Sequence, residues 1–384
     1  MKEIRKITVV GTGNGAHGAA ADLTLRGYLV TLYELPEFKE NLEAMAAKGG
    51  IRVIRGEKEQ IVKIHNFTTN AAEAFSGADC IMPVVPTFAH RTIAETCAPH
   101  SKDGQTIILN PGSTGGLLEF MKVFQEKGGT AKINWAETAS LPYGARLVGP
   151  GVVNILLDTK AIFFAAFPAT KTDEMLSQFK KMFPAAVKFK NILDTALNNG
   201  NPVSHPTAAI LNTGRIEFTR GNYLHYKEGI TPSVARVMED VDKERMAIIR
   251  AYGLTEMSTA ERLVVLGYTH SGKDLYDQYQ HSEVFAPMKA PADLHNRFIT
   301  EDIAYGLVTW ADLGDLAGVE TPLMDAVVHI ASSIHGVNYF NTGRTLKNLG
   351  LGHLTKNHLL KYVTSGRLWT ARSGKPIPTK RRKS

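Results

Sequence analysis

The sequence predicts an α/β protein in which an N-terminal doubly wound sheet is followed by a mainly α-helical C-terminal domain. Three observations carry this prediction: a strand, glycine turn, helix and strand at the start of the chain, further apolar strands up to about residue 110, and capped helices after about residue 190. At about 150 residues per domain, 384 residues make roughly two to three domains. We predict a doubly wound domain over residues 1–185, a helical domain over 190–371 and a disordered basic tail over 372–384.

The first element is a short β-branched strand, Ile7–Val10, and it runs directly into a glycine-rich turn. A helix-forming stretch and a second strand, Tyr28–Glu34, follow, as a nucleotide-binding βαβ unit of the Rossmann type requires. In that unit the first glycine permits the tight turn, the second lets a pyrophosphate approach the backbone, and N–H groups at the helix start face the phosphates. The residues that we predict to bind the cofactor there are Gly11, Gly13, Asn14, Gly15 and Ala16, the last standing where a third glycine is common. The glycine pattern by itself also fits an ordinary strand–helix turn.

An acidic residue, Glu34, ends the second strand. At this position a carboxylate binds the ribose hydroxyls of the adenosine. Leu35 and Pro36 follow it, so no adjacent Arg or Lys is present to hold a 2′-phosphate. The sequence therefore favours NAD over NADP, although Glu34 also fits a solvated acid at a strand end.

Two further strands, Ala78–Val85 and Gln105–Asn110, continue the doubly wound pattern. Ligands of such sheets bind beyond the carboxyl ends of the strands. We therefore expect the turns that follow these strands to border the cofactor, through Pro86, His90 and Pro111.

The helical half contains one polar cluster suited to catalysis, Asn198–Pro206, just before an apolar helix. We predict that Pro206 is the first helical residue, which leaves His205 extended at a helix N-terminus, where the helix dipole lowers its pKa. An acid catalyst at neutral pH then needs a carboxylate beside it. His205 also fits a helix cap or a buried structural histidine.

A second cluster, Arg297–Asp302, could supply that carboxylate. There Thr300 resembles a helix cap, and Glu301 and Asp302 would lie in the first turn, a position that the helix dipole favours without any catalytic role. Another helix start is predicted at Thr231-Pro232, where a hydroxyl that can cap the helix precedes a first-turn proline. We predict that this helix ends at Gly253.

Composition limits the remaining classes. The net charge of +7 fits an anionic small molecule as a binding partner as well as it fits nucleic acid. The basic tail alone does not make the chain a nucleic-acid binder. No apolar run is long enough to span a bilayer, and no His, Cys or carboxylate spacing fits zinc. With only two cysteines and no signal-peptide pattern, we expect a cytoplasmic enzyme without a metal, and no membrane or nucleic-acid partner.

Taken together, the motifs resemble the opine dehydrogenases, the octopine and nopaline dehydrogenase family, over nearly the whole chain. The resemblance is carried by motifs in a fixed order: Gly11–Gly13, Val85–His90, Asn110–Gly112, Glu137-Thr138 with Leu141–Tyr143, Asn201–Pro206 and Arg297–Asp302. One departure is Ala304, where the family often has proline. This bears on the stiffness of the loop more than on the chemistry.

The resemblance implies an NAD(H)-dependent enzyme that joins an α-keto acid to the amino group of an amino acid or amine through an imine. It also implies that His205 is the catalytic histidine, that Asp302 is its partner, and that Asn201 lies beside the site. Arg297 and Tyr143 would bind the substrate, Arg297 through a carboxylate. Domain closure would then keep water away from the imine.

Two other functions stay open on the sequence alone. The first is a keto-acid or hydroxy-acid reductase of the glycerol-3-phosphate or ketopantoate reductase type, against which the lack of a Gly-x-x-x-Asn-x-x-Lys arrangement counts. The second is a non-catalytic NAD-binding module. The sequence also leaves the oligomeric state open, with a homodimer as the alternative to a monomer.

Overall fold

The structure is a computed structural model that describes residues 2–367. The chain divides into two compact units. Unit 1 contains the residues up to Gly112 together with Gly116–Thr195, and unit 2 contains Ser113–Gly115 and the chain from Ala196 onward. The change of domain was predicted at residues 185–190, a few residues earlier. The predicted basic tail, 372–384, lies outside the described residues.

Within residues 2–367 there are twelve strands, all of them in unit 1. They are β1 (Lys6–Val10), β2 (Leu29–Tyr33), β3 (Ile51–Arg55), β4 (Lys58–Val62), β5 (Asn66–Thr68), β6 (Cys80–Pro83), β7 (Thr106–Leu109), β8 (Asn134–Thr138), β9 (Tyr143–Gly149), β10 (Val152–Asp158), β11 (Ile162–Phe167) and β12 (Ala186–Lys188).

The main sheet of unit 1 has eight strands in the order β12-β11-β8-β7-β6-β1-β2-β5. Every neighbouring pair is parallel except β8 and β11, which are antiparallel. The predicted doubly wound α/β sheet is therefore confirmed. Because β1, β6 and β7 are parallel neighbours, their carboxyl ends lie at one edge of the sheet, where the glycine turn and the two predicted turns begin.

A second, four-stranded sheet in unit 1, with the order β4-β3-β10-β9, was not predicted from the sequence. Its inward residues, among them Val53, Ala145 and Val153, join the same apolar core as the first strand of the main sheet. The α-helices between residues 2 and 197 are α1 (Asn14–Leu25), α2 (Lys39–Ala47), α3 (Ala71–Ser76), α4 (His90–Cys97), α5 (Gly116–Glu126), α6 (Thr172–Met182) and α7 (Ile192–Leu197).

Unit 2 is helical in its described part, as predicted. Its helices are α8 (Asn201–Leu211), α9 (Thr213–Thr219), α10 (His225–Glu228), α11 (Pro232–Tyr252), α12 (Thr259–Leu266), α13 (Leu275–Gln280), α14 (Arg297–Thr300), α15 (Val308–Ala317), α16 (Pro322–His335), α17 (Tyr339–Thr342) and α18 (Lys356–Ser365), with a π-helical turn at Ile303–Leu307. Helix α11 begins and ends as predicted: the Thr231 hydroxyl accepts from the backbone N–H of Val234, and Gly253 has φ 63°. Helix α8 packs against α11 and α14.

Two local predictions are wrong. Helix α8 begins at Asn201 and not at Pro206, so His205 is helical and not extended. Pro202 takes the first-turn position, and Pro206, one turn later, is tolerated inside the helix at the cost of one backbone hydrogen bond. Thr300 ends a short helix and caps none, because the side chain of Asn296 is the one that caps α14, accepting from the N–H of Phe298.

Candidate active site

The glycine turn between β1 and α1 has the backbone geometry that its sequence predicts. Gly11 has φ 108°, and a Cβ there would lie 2.9 Å from the carbonyl oxygen of Val84, so only glycine fits. Gly13 is the N-cap of α1, and a Cβ at that position would meet nothing within 4 Å. The first turn of α1 carries no acidic residue. An exposed helix start with open space beside its glycine fits a bound pyrophosphate.

The other predicted residues of this turn support its shape. A Cβ at Gly15 would collide with the Leu141 side chain at 2.7 Å, and Ala16 is fully buried. The side-chain oxygen of Asn14 accepts a hydrogen bond from the backbone N–H of Leu147, at 2.7 Å. These three residues therefore hold the helix in place, and a direct cofactor contact is a prediction for their backbone only.

Glu34 lies next to the glycine turn. Its side chain is buried, and one carboxylate oxygen accepts a 2.6 Å hydrogen bond from the hydroxyl of Thr12, while the other accepts from the N–H of Leu35. A carboxylate has about four acceptor sites, so both oxygens can still accept from ribose hydroxyls. The structure therefore rules out the alternative that Glu34 is a solvated acid.

Three further predicted cofactor residues follow the strands β6 and β7. Pro86 precedes a short 3₁₀ turn, Thr87–Ala89, and His90 is the buried first residue of α4, with Nδ1 3.4 Å from the Thr87 hydroxyl. Pro111 follows β7 after a cis peptide bond. Their cofactor contacts remain predictions.

In unit 2 the structure brings together two residues that are 97 positions apart. His205 Nδ1 lies 2.8 Å from Asp302 Oδ2, and both side chains are at most a tenth exposed. Asp302 stands at the junction between α14 and the π-helical turn, an irregularity typical of functional sites. Since Nδ1 faces a carboxylate, the tautomer with Nδ1–H donating to Asp302 is favoured, and Nε2 is the nitrogen that can exchange a proton with a substrate.

An aromatic ring covers one face of the imidazole in this pair. The ring of Phe298 is stacked on the imidazole of His205, with 4.0 Å between centroids. Burial raises the pKa of Asp302 to about 7, while the Arg297 guanidinium opposes the rise. The pair therefore holds a proton more tightly near neutral pH than an exposed carboxylate would, which suits an acid–base catalyst.

Two aromatic neighbours of the pair were not predicted from the sequence. One is Phe298, and the other is His225, whose ring centroid lies 5.1 Å from that of Phe298. Within the described residues, neither ring nitrogen of His225 has a hydrogen-bond partner, and burial lowers its pKa to about 3. A neutral imidazole there adds no charge beside His205. No spacing in the sequence links His225 to the site, because the contact arises from helix packing.

The remaining predicted residues differ in their placement. Asn201 is half-buried at the start of α8, one turn before His205, and Arg297 is half-exposed with Nη1 3.5 Å from Glu301 Oε2. Tyr143 is buried in unit 1, where its hydroxyl donates to Asp22 at 2.7 Å and its ring packs on Gly18. That is the environment of a core residue, and its contact with a substrate stays a prediction.

Residues 2–367 contain no group of three or more His, Cys, Asp or Glu side chains that could hold a metal ion. Among the helices in this range, none is long and apolar enough to cross a membrane.

Comparison with known proteins places these features in context. Residues 188–335 match the family model described as NAD/NADP octopine/nopaline dehydrogenase, alpha-helical domain. The chain is 36% identical over 355 residues to an opine dehydrogenase of Arthrobacter sp. (strain 1C), covering 92% of this chain and 98% of the relative. It is 26% identical over 375 residues to the octopine dehydrogenase of Pecten maximus, covering 88% and 92%. A solved octopine dehydrogenase in complex with NADH and agmatine shares the fold, with TM-score 0.74 and 22% identity over 92% of this chain and 97% of that one.

Proposed function

Because the chain belongs to the opine dehydrogenase family, we propose that it catalyses the NADH-dependent reductive condensation of an α-keto acid with the amino group of an amino acid or amine. The observation that carries the proposal is the buried pair of His205 and Asp302, at 2.8 Å. Solved octopine dehydrogenases hold NADH with L-arginine, agmatine or pyruvate, which supports substrates of these classes.

The pair serves the condensation step. The amine nitrogen attacks the keto carbon, and the carbon–oxygen bond then breaks so that water leaves and an imine remains. His205 Nε2 donates a proton to the departing oxygen, and the Asp302 carboxylate stabilises the imidazolium through Nδ1. Arg297 binds a substrate carboxylate, and Asn201 supplies a polar group one turn from the imidazole.

NADH supplies the hydride that reduces the imine carbon. We infer that the glycine turn around Gly13 holds its pyrophosphate and that Glu34 accepts from the ribose hydroxyls of its adenosine. A 2′-phosphate would place negative charge beside this buried carboxylate, so we propose NAD as the preferred cofactor over NADP. Pro86, His90 and Pro111 complete the proposed cofactor-binding set.

The test is a screen of NADH oxidation in which α-keto acids are crossed with amino acids and amines. We expect oxidation only when both partners are present. The variant His205→Ala should lose turnover by at least 10²-fold and still bind NADH. The matched control is His281→Ala, which removes an exposed imidazole from another His–Asp pair, 3.3 Å from Asp277.

Three outcomes would contradict the proposal. Keto-acid reduction at the full rate without an amine would indicate a simple reductase. Tight NADH binding with no NADH oxidation for any combination of keto acid and amine would indicate a binding module. Wild-type turnover in His205→Ala would remove the role given to the imidazole.

A further inference from the structure

The helix that carries His205 and the turn that begins after Asp302 meet at a glycine. Gly306 is buried in this π-helical turn, which packs against α8. A Cβ at Gly306 would lie 2.5 Å from Cγ and 2.9 Å from Cβ of Pro202, in the first turn of α8. The φ angle of Gly306 is not positive, and alanine is the better helix former. The close approach of the two elements is therefore what requires glycine at this position.

Neither side of this contact has room to yield. The ring of Pro202 is bonded to its own backbone nitrogen, so it cannot rotate away as a longer side chain could. Within the turn, the carbonyl oxygen of Ala304 accepts a 2.8 Å hydrogen bond from the backbone N–H of Arg344. A Cβ at Gly343 would lie 2.5 Å from the same oxygen, so the turn is tightly packed there as well. Carbon atoms in contact lie about 3.5–4.0 Å apart, so a methyl group at Gly306 needs on the order of 1 Å more room.

The turn transmits such a displacement to Asp302. The backbone N–H of Leu307 donates to the carbonyl oxygen of Asp302 at 3.0 Å, which closes a ring that includes Gly306. The hydrogen bond between Asp302 Oδ2 and His205 Nδ1 is 2.8 Å long. N–H···O hydrogen bonds span about 2.7–3.2 Å, so a shift of on the order of 1 Å along this bond would break it. The room left by Gly306 therefore determines whether the carboxylate reaches the imidazole.

We propose that Gly306 is a positioning residue for the condensation, because it lets the turn approach Pro202 closely enough for Asp302 to bind His205. Its effect on the rate rests on the proposed function, whereas its effect on the hydrogen bond does not. Gly306 has no functional group of its own, so it acts through the carboxylate of Asp302. The largest loss of kcat that it can cause by this route is the loss caused by removing the charge of that carboxylate.

The first experiment is Gly306→Ala, assayed by steady-state NADH oxidation at saturating keto acid and amino acid. We expect kcat to fall at least about tenfold, and no further than in Asp302→Asn. The KM of the keto acid and the Kd of NADH should change less than about threefold, because the binding groups are untouched. When Gly306→Ala is added to Asp302→Asn, kcat should fall less than about threefold further, because the interaction that it disturbs is already lost.

A double-mutant cycle with Pro202→Gly tests whether the contact itself is responsible. This change removes both ring carbons that a Cβ at Gly306 would meet and leaves only the Cα of residue 202, at 3.9 Å. Relative to Pro202→Gly alone, adding Gly306→Ala should change kcat less than about threefold. The packing control is Gly314→Ala on α15, whose Cβ would lie 3.1 Å from a methyl group of Thr321. It should lower the melting temperature and keep kcat within about twofold.

The hydrogen bond can be observed directly by NMR of the ¹⁵N-labelled protein without substrates. An imidazole N–H that is bound to a carboxylate gives a proton resonance downfield of other N–H protons, and its loss in Asp302→Asn identifies it. Gly306→Ala should remove this resonance or shift it upfield, and Gly314→Ala should leave it in place. Gly343→Ala presses on the carbonyl of Ala304 and displaces the same turn, so it decides the question if Gly306→Ala does not fold.

Four results overturn the inference. They are an unchanged resonance in the folded variant, a lower melting temperature with unchanged kcat, a loss of kcat that persists in the Pro202→Gly background, and a loss that adds in full to that of Asp302→Asn. The failure of the proposed function is a separate result. If wild type oxidises NADH with no substrate pair, the proposed function fails, and the NMR comparison still decides whether Gly306 positions Asp302.

Discussion

Replacing Asp302 by asparagine tests the pair at the centre of the proposed chemistry. The amide would keep the shape of the side chain and remove the charge that faces His205 Nδ1 at 2.8 Å. A hydrogen bond to a charged group contributes about 1.5–3 kcal/mol. If this contribution is made mainly when the imidazole is charged, and each factor of ten in rate corresponds to about 1.4 kcal/mol, kcat should fall roughly 10- to 150-fold. The assay is steady-state NADH oxidation at saturating keto acid and amino acid.

The control for this variant is Asp277→Asn, which makes the same change in a second His–Asp pair, one whose His281 imidazole is exposed. It should keep kcat within about twofold, since exposed pairs contribute little. NADH affinity should be unchanged in both variants, because the glycine turn lies in unit 1 and Asp302 in unit 2. A kcat for Asp302→Asn within twofold of wild type would refute the reasoning, and so would an equal loss in Asp277→Asn.

Three further predictions concern the cofactor and pH. Gly13→Ala should raise the Kd for NADH, measured by fluorescence, at least tenfold, because the added Cβ enters the space proposed for the pyrophosphate. The melting temperature should be unchanged, since this Cβ meets no protein atom within 4 Å. In the control Gly77→Ala the added Cβ also meets no protein atom within 4 Å, and the Kd for NADH should be unaltered. Glu34→Ser should narrow the ratio of the Kd values for NADPH and NADH by about tenfold or more, and an unchanged ratio would contradict the role of Glu34. Burial raises the pKa of Asp302 from 3.8 to about 7, so between these pH values the folded chain binds more protons than the unfolded chain. The free energy of unfolding should therefore fall as pH rises from about 4 to about 7, by at most about 1.4 kcal/mol per pH unit for this group. In Asp302→Asn the free energy of unfolding, measured with urea at each pH, should depend less steeply on pH than in wild type.

The sequence predicted the nucleotide-binding unit well because its signals are local. A tight turn at Gly11 needs a positive φ, and the alternation of apolar strands with helices follows from a sheet covered on both faces. The second sheet was missed for the opposite reason. Its strands Ile51–Arg55 and Val152–Asp158 pair across about a hundred residues, and nothing in either segment specifies its partner.

Prediction of the His205–Asp302 pair depended on the family resemblance, and the predicted local structure around His205 was partly wrong. Pro206 was taken as a helix start, because proline favours the first turn. The chain has a second proline, Pro202, that fills this position, and packing of α8 against α11 and α14 outweighs the one backbone hydrogen bond that Pro206 removes. Propensity decides between such alternatives only where tertiary contacts do not.

The geometry of Asp302 explains why a carboxylate so costly to bury stands opposite His205. In water this carboxyl would be ionised at neutral pH, and its desolvation is unfavourable unless a proton or a cation lies beside it. The stacked ring of Phe298 excludes water from the imidazole on one face, so the proton that compensates the carboxylate is held by His205 at 2.8 Å. The resulting imidazolium can give its other proton, on Nε2, to the hydroxyl that leaves in the proposed condensation, and that proton must return when water adds back in the reverse direction. A pair whose shared proton is retained up to about pH 7 can serve both directions, whereas an exposed histidine would have lost most of its charge there.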